Sequence, residues 1–120
     1  MPSSVVAEAT VLIEILEVGI LGDVPAFSEA ELAYAASKAD PERRLAARLA
    51  AKQAACRALG GGVALADVEI VRAASGAPRL RLAARAAARL SQLGATGTRV
   101  SLTHGRTHAA AVVLLLREAE

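Results

Sequence analysis

Apolar and polar positions change period several times along this chain, and each change marks an element. Val5 to Ile15 reads VVAEATVLIEI, β-branched and apolar with two glutamates interrupting, and predicts a strand. Gly19, Gly22 and Pro25 then break the pattern. Ser28 precedes EAELAYAASKA with Glu31 at the third helical position, a pairing that caps a helix reciprocally, so a short helix is expected there. Asp40 and Pro41 open a second helix, Asp40 as cap and Pro41 in the first turn, where a missing N–H is harmless. That helix runs through RRLAARLAAKQAACRAL and stops at Gly60, Gly61 and Gly62. Ala66 to Arg72 alternates as a strand does, and Ser75 to Pro78 is a turn. Arg79 to Leu82 extends briefly before a helix through AARAAARLSQLG, ended by Gly94. Thr98 to Thr103 and His108 to Leu116 are strands, and the four residues between them, Gly included, predict a hairpin. The expected order is β-α-α-β-α-β-β. It describes one α+β domain over residues 1–120, with a small antiparallel sheet and one long helix.

Composition sharpens this picture. Hydrophobic residues make up 54% and charged ones 22%, so a packed core is expected. Aromatic residues are only 2% and much of the apolar share is Ala, which buries little area per residue; a thin core favours help from neighbouring subunits. The net charge of +2 is mild. Arg81, Arg85 and Arg89 form a basic stripe, but without aromatics to stack on bases it reads as a solvated face or a contact for an acidic protein, not a nucleic-acid surface. Cys56 is the single cysteine, so no disulfide forms within the chain, and its apolar neighbours predict a small buried thiol. His104 and His108 bracket the hairpin turn with no Cys or Asp beside them, which argues against a metal site. MPSSVVAEATVL has no basic leader region and no stretch approaches 18 uncharged apolar residues; a cytoplasmic protein without membrane contact is expected.

Four segments in order carry a resemblance. LAARLAAKQAACRALGGG (Leu45 to Gly62), the turn Gly76-Ala77-Pro78, the hairpin VSLTHGRTHAAAVVLL (Val100 to Leu115) and FSEAEL (Phe27 to Leu32) together resemble the holo-acyl-carrier-protein synthase family of 4′-phosphopantetheinyl transferases. The resemblance implies transfer of 4′-phosphopantetheine from coenzyme A to a serine of an acyl carrier protein. It also implies a homotrimer with clefts between subunits and a magnesium ion held by an Asp of the first strand and the Glu of a K-E-A motif. Here Val11 stands at the Asp position, Gln53 at the Glu position and Arg57 where a Lys follows, while Glu14 matches the second acid of the strand motif. Valine offers no ligand and a neutral amide is a poor one, so magnesium is not expected to be held by this chain. Glu17 and Pro25 replace arginines that would dock the acidic carrier.

Other family positions are kept. By the resemblance, Arg48, Lys52, Gly60, Gly61, Gly62, Pro78, Ser101, Thr103 and His104 lie on the cofactor side, compatible with coenzyme A or a related thioester. Each also has a plain structural reading: a helix stop, a turn, a solvated helix face, an alternating strand. Three functions follow. One is a phosphopantetheinyl transferase with altered metal binding or a changed carrier. Another is a non-catalytic binder of coenzyme A, acyl-coenzyme A or a carrier. The third is a thioester-acting enzyme on the same scaffold that needs no magnesium.

Overall fold

Small side chains decide how the long helix meets its sheet. In the computed structural model, which describes residues 6–20 and 27–118, helix α2 spans Pro41–Ala58. Ala46, Ala47, Ala50, Ala51, Ala54, Ala55 and Ala58 are all buried on it. They pack on a three-stranded antiparallel sheet in the order β1-β5-β4, made of Val6–Glu17, His108–Glu118 and Gly97–His104. The facing strand answers with Ala109, Ala111, Val113 and Leu115, none more than 1% exposed. Methyl groups on both sides bring the helix axis close to the sheet, so contact density stands in for side-chain bulk.

Alternation along the strands sorts the two sheet faces. Leu12, Glu14 and Leu16 of β1 point to the α2 side, while Val11, Ile13 and Ile15 point away and stay exposed. Ser101 and Thr103 of β4 pair with Val112 and Ala110, and so share that outer face.

The remaining elements are α1 (Glu29–Ala36), β2 (Val68–Arg72), β3 (Pro78–Leu82) and α3 (Ala84–Gln92). The α+β class and the long helix are as expected, with one strand more than the sequence suggested. The segment read as a brief extension before a helix is a full strand, paired with β2 from Val68↔Leu82 to Arg72↔Pro78 as a separate two-stranded sheet. Its PRLRL alternation sets Leu80 opposite Ile70 and Arg81 opposite Glu69, where an ion pair forms at 3.2 Å. Arg81 therefore lies off α3 and the arginine stripe dissolves. Arg85 pairs with Asp67 at 2.9 Å, and Arg89 donates to the Leu59 carbonyl at 2.7 Å, satisfying an orphan acceptor at the end of α2. Gly60, Gly61 and Gly62 follow with φ of 81°, 96° and 71°, a run of left-handed residues that only glycine takes without strain.

The expected capping box at Ser28 is present: its hydroxyl accepts from Glu31 N at 3.1 Å, and the Glu31 carboxylate accepts from Ser28 N at 2.8 Å. The same carboxylate reaches across the molecule. It receives Lys52 Nζ at 2.8 Å and Ile70 N at 2.9 Å, and Lys52 also donates to the Val68 carbonyl at 2.5 Å. Both residues are only 1% exposed. Lys52 is thus no solvated helix face; it is the buried cation that joins α1, α2 and β2. Removing one partner strands the other. Glu31→Ala is expected to lower unfolding free energy by about 3–5 kcal/mol in urea titrations, and the double change Glu31→Leu with Lys52→Met by less. A loss under about 1 kcal/mol for the single change would show that the pair is not what holds these elements.

Candidate functional site

One turn before Lys52, α2 presents Arg48; one turn before that, Arg44. Both line a pocket of about 190 Å³, together with Tyr34 of α1, Arg72 at the end of β2, Pro78 at the start of β3 and His104 at the end of β4. Arg48 is 5% exposed, and among the described residues its Nε is a buried donor without an acceptor. Its guanidinium lies 4.1 Å from the centre of the Tyr34 ring. Burial pushes its pKa down, but an arginine starts so high that it stays charged.

Among the described residues, the carboxylate that bonds directly to these cations is Asp40, with Glu31 acting on Arg48 from behind while paired with Lys52. Asp40 accepts from Arg44 Nε at 3.0 Å through one oxygen and meets His104 Nε2 at 3.0 Å through the other. The Arg44 hydrogen bond, helped by His104, holds the Asp40 carboxyl below its ordinary value. Asp40 was expected to cap α2 with its side chain; it makes no cap bond, because both oxygens are taken by these two partners. Three guanidiniums against one engaged carboxylate leave a net positive recess with an unused buried donor. That is the arrangement an anion with several oxygens fits, and phosphate above all.

Of the residues singled out from the sequence, Arg48, Pro78 and His104 line this pocket. Lys52 lies behind it with its charge given to Glu31. Gly60, Gly61 and Gly62 are exposed past the far end of α2, roughly 18 Å along the helix from Arg48. Ser101 and Thr103 are exposed on the outer sheet face. Sequence reasoning missed Tyr34, Arg44 and Arg72. Arg44 carried a signal, its four-residue spacing from Arg48; Arg72 carried none, since only the placement of β2 beside α1 brings it in.

The positions matched to metal ligands behave differently. Val11 points to the outer face, 54% exposed, whereas α2 with Gln53 packs on the inner face. Those two positions do not share a side of the sheet, so a carboxylate placed at residue 11 would face away from Gln53. Glu14 does face α2, but its carboxylate is ion-paired with Arg57, one turn beyond Gln53. Among the described residues no group of three His, Cys, Asp or Glu side chains is arranged to hold a metal. One outward valine, one amide and one already neutralised carboxylate do not fit a divalent cation that wants hard anionic oxygens. Cys56 is half-buried, and burial pushes its thiol pKa up, away from nucleophilic use. Glu17 is exposed at the end of β1; Pro25, Gly22 and the residues around them lie outside the described residues.

No family profile matches the chain. Individual proteins do. The chain is 54% identical over 81 residues to the holo-acyl-carrier-protein synthase of Nitratidesulfovibrio vulgaris, a match covering 64% of this chain and 65% of the relative. It is 42% identical over 92 residues to the enzyme of the same name from Moorella thermoacetica, covering 74% of this chain and 72% of the other. The chain belongs to the holo-acyl-carrier-protein synthase family. The family match spans just under two thirds of the length of the first curated relatives, 65% in each. The fold also superposes on the ACPS–CoA complex of Chronobacterium ammoniagenes with a TM-score of 0.74, over 94% of this chain and 99% of that one, at 24% identity. No helix among the described residues is long and apolar enough to cross a membrane.

The Asp40 contacts give a pH test. A carboxyl whose folded pKa is depressed adds stability above its ordinary value of 3.8, and loses it as pH falls through the lower folded value. Asp40→Asn is therefore expected to unfold at a lower temperature than the natural protein at neutral pH, with the two curves converging in acid. A constant gap across that range would remove the assigned role of the Asp40 charge.

Proposed function

We propose that this chain works on coenzyme A in the manner of its family, moving 4′-phosphopantetheine to a carrier-protein serine, and that the Arg44, Arg48 and Arg72 pocket receives a phosphate group of the coenzyme. The observation that carries the reading is Arg48: a nearly buried arginine with an unsatisfied Nε, opening on a recess with two more guanidiniums. Leaving such a donor unpaired costs about 1–3 kcal/mol, which a phosphate oxygen returns on binding. Supporting it are the family membership and the coenzyme A bound in a structural neighbour. The carrier partner rests on the family alone.

In this reading, charge on the substrate's phosphates is met by guanidiniums in place of a carboxylate-held magnesium. Arg57, exposed and paired with Glu14, stands one turn beyond Gln53 on α2. A guanidinium clamps phosphate oxygens and keeps them oriented. It does not lower the pKa of a bound water or bridge oxygens as a divalent cation does, so slow turnover is the expected consequence.

The outer sheet face supports a homotrimer. Val11, Ile13 and Ile15 are 54%, 56% and 64% exposed side by side, next to half-buried Val112 and Leu114 of β5. A stripe of β-branched side chains on an open sheet is a surface for another chain. The number three comes from the resemblance. Ser101 and Thr103 share this face, and in a trimer they border a neighbour's cleft.

Calorimetry is expected to show coenzyme A binding without magnesium, weakening as salt rises because exposed phosphate contacts are screened, and lost in Arg48→Ala. No binding at millimolar coenzyme A overturns the reading. Mass-shift assays on a standard apo acyl carrier protein should give transfer roughly thousands-fold slower than a well-organised metal site supports, with no gain from magnesium. Fast magnesium-stimulated transfer would overturn the metal-free part alone. Light scattering at micromolar concentration should return three chain masses; a single chain mass sinks the trimer.

A further inference from the structure

Tyr34 sits among more cations than a phenol needs. Its hydroxyl oxygen accepts from Arg72 Nη1 at 2.5 Å and from Arg44 Nη1 at 3.2 Å. Over its ring lie the Arg48 guanidinium at 4.1 Å, the Arg72 guanidinium at 5.0 Å and Lys38 Nζ at 5.2 Å. The charges come from every element around it: Lys38 just past α1, Arg44 and Arg48 from α2, Arg72 from β2. The nearby acids have partners of their own: Asp40 holds Arg44 through its Nε and meets His104, and Glu31 holds Lys52. Among the described residues the hydroxyl accepts both its bonds and donates to no side chain.

Arg72 and Arg44 arrive from different elements, and among the described residues the Tyr34 hydroxyl oxygen is the hydrogen-bond acceptor they share. Arg72 is largely exposed, so without that oxygen its long side chain has many rotamers open to it. Resting on the reading of this pocket as a phosphate site of the coenzyme, we propose that Tyr34 is its positioning residue. The protonated hydroxyl gathers the Arg44 and Arg72 guanidiniums on one shared acceptor, so that they and Arg48 face a common anion. When the phenol gives its proton to solvent, the phenolate keeps those guanidiniums as its own counter-ions and phosphate is displaced.

Charge balance gives the direction. Three guanidiniums against Asp40 leave about two positive charges, matched to a phosphate monoester dianion; ionising Tyr34 removes one of them. Burial raises the phenol pKa, but Arg72 first, then Arg44, Arg48 and Lys38, outweigh it and hold the group below its ordinary 10.0. Linkage then requires the converse: an anion that binds less well to the phenolate must make the phenol harder to ionise.

The chain makes this measurable, since Tyr34 is its one tyrosine and it has no tryptophan. Tyrosinate absorbance reports Tyr34 alone. In the natural protein without ligand, the titration midpoint is expected below 10.0 and should return toward it in Arg72→Gln. Saturating adenosine 3′,5′-bisphosphate should raise the midpoint, with inorganic phosphate as the simpler probe, each unit of rise corresponding to about a tenfold loss of affinity on ionisation. Calorimetric affinity for the bisphosphate should fall as pH climbs through the free midpoint in the natural protein, and stay flat in Tyr34→Phe. A free midpoint at or above 10.0 overturns the proposal whether or not the bisphosphate binds. Binding that leaves the midpoint unmoved, or a pH dependence identical in Tyr34→Phe, overturns it while the phosphate reading stands. A low midpoint with no binding of either probe overturns both.

Discussion

The buried pair between Glu31 and Lys52 is the constraint on which the candidate site depends. Glu31 is one turn from Tyr34 on α1, Lys52 is one turn from Arg48 on α2, and Ile70, whose N–H the same carboxylate receives, is two residues from Arg72 on the same strand. One carboxylate therefore sets the distances among the three elements that bring a ring and two guanidiniums into one recess. A pair of charges this deep is not cheap to bury, and apolar residues would hold the same elements with less penalty. What apolar residues lack is direction. Three donors converging on two oxygens fix the angle and register of β2 against both helices, and a pocket built from long arginine side chains needs that fixity at its base.

The same logic explains why an Ala-rich helix serves here. Methyl groups on α2 and β5 let the helix lie close to the sheet without bulk on either side. Arg48 meets the Tyr34 ring of α1 at 4.1 Å, so one helix carries both the core and a wall of the pocket.

Much of the fold was legible because it rests on local signals. The Ser28 capping box, the glycine run after α2 and the final hairpin each need only neighbours in sequence, and each formed, the hairpin with a connection of three residues and not four because His104 joins the strand and pairs with Ala109. The β3 strand was under-read because its five residues make sense only against β2, through Leu80 facing Ile70 and Arg81 facing Glu69. The site was half legible. Motif spacing pointed to Arg48, Pro78 and His104, but a motif does not say which way a side chain faces. It grouped Lys52 with them although its ammonium turns inward, and it grouped Val11 with Gln53 although a sheet lies between their directions. Tyr34 and Arg72 were invisible, since nothing in the sequence ties residue 34 to residue 72 until Glu31 joins α1 to β2.

The two faces of the main sheet divide the remaining questions. Among the described residues, three acids that meet the long helix or its neighbours are each ion-paired: Glu31 with Lys52, Asp40 with Arg44 and His104, Glu14 with Arg57. What the inner face offers a ligand is positive charge and donors, and it offers a metal almost nothing. On the outer face, the apolar stripe of β1 lies beside the hydroxyls of β4. A phosphate arriving at the pocket would find the bonded carboxylates already occupied, and a second copy arriving at the outer face would find an apolar stripe. The carboxylate kept at the strand position, Glu14, faces Arg57, while the Arg44, Arg48 and Arg72 cluster lies nearer the start of α2; the positive charge along this helix is therefore carried by side chains held by partners of their own.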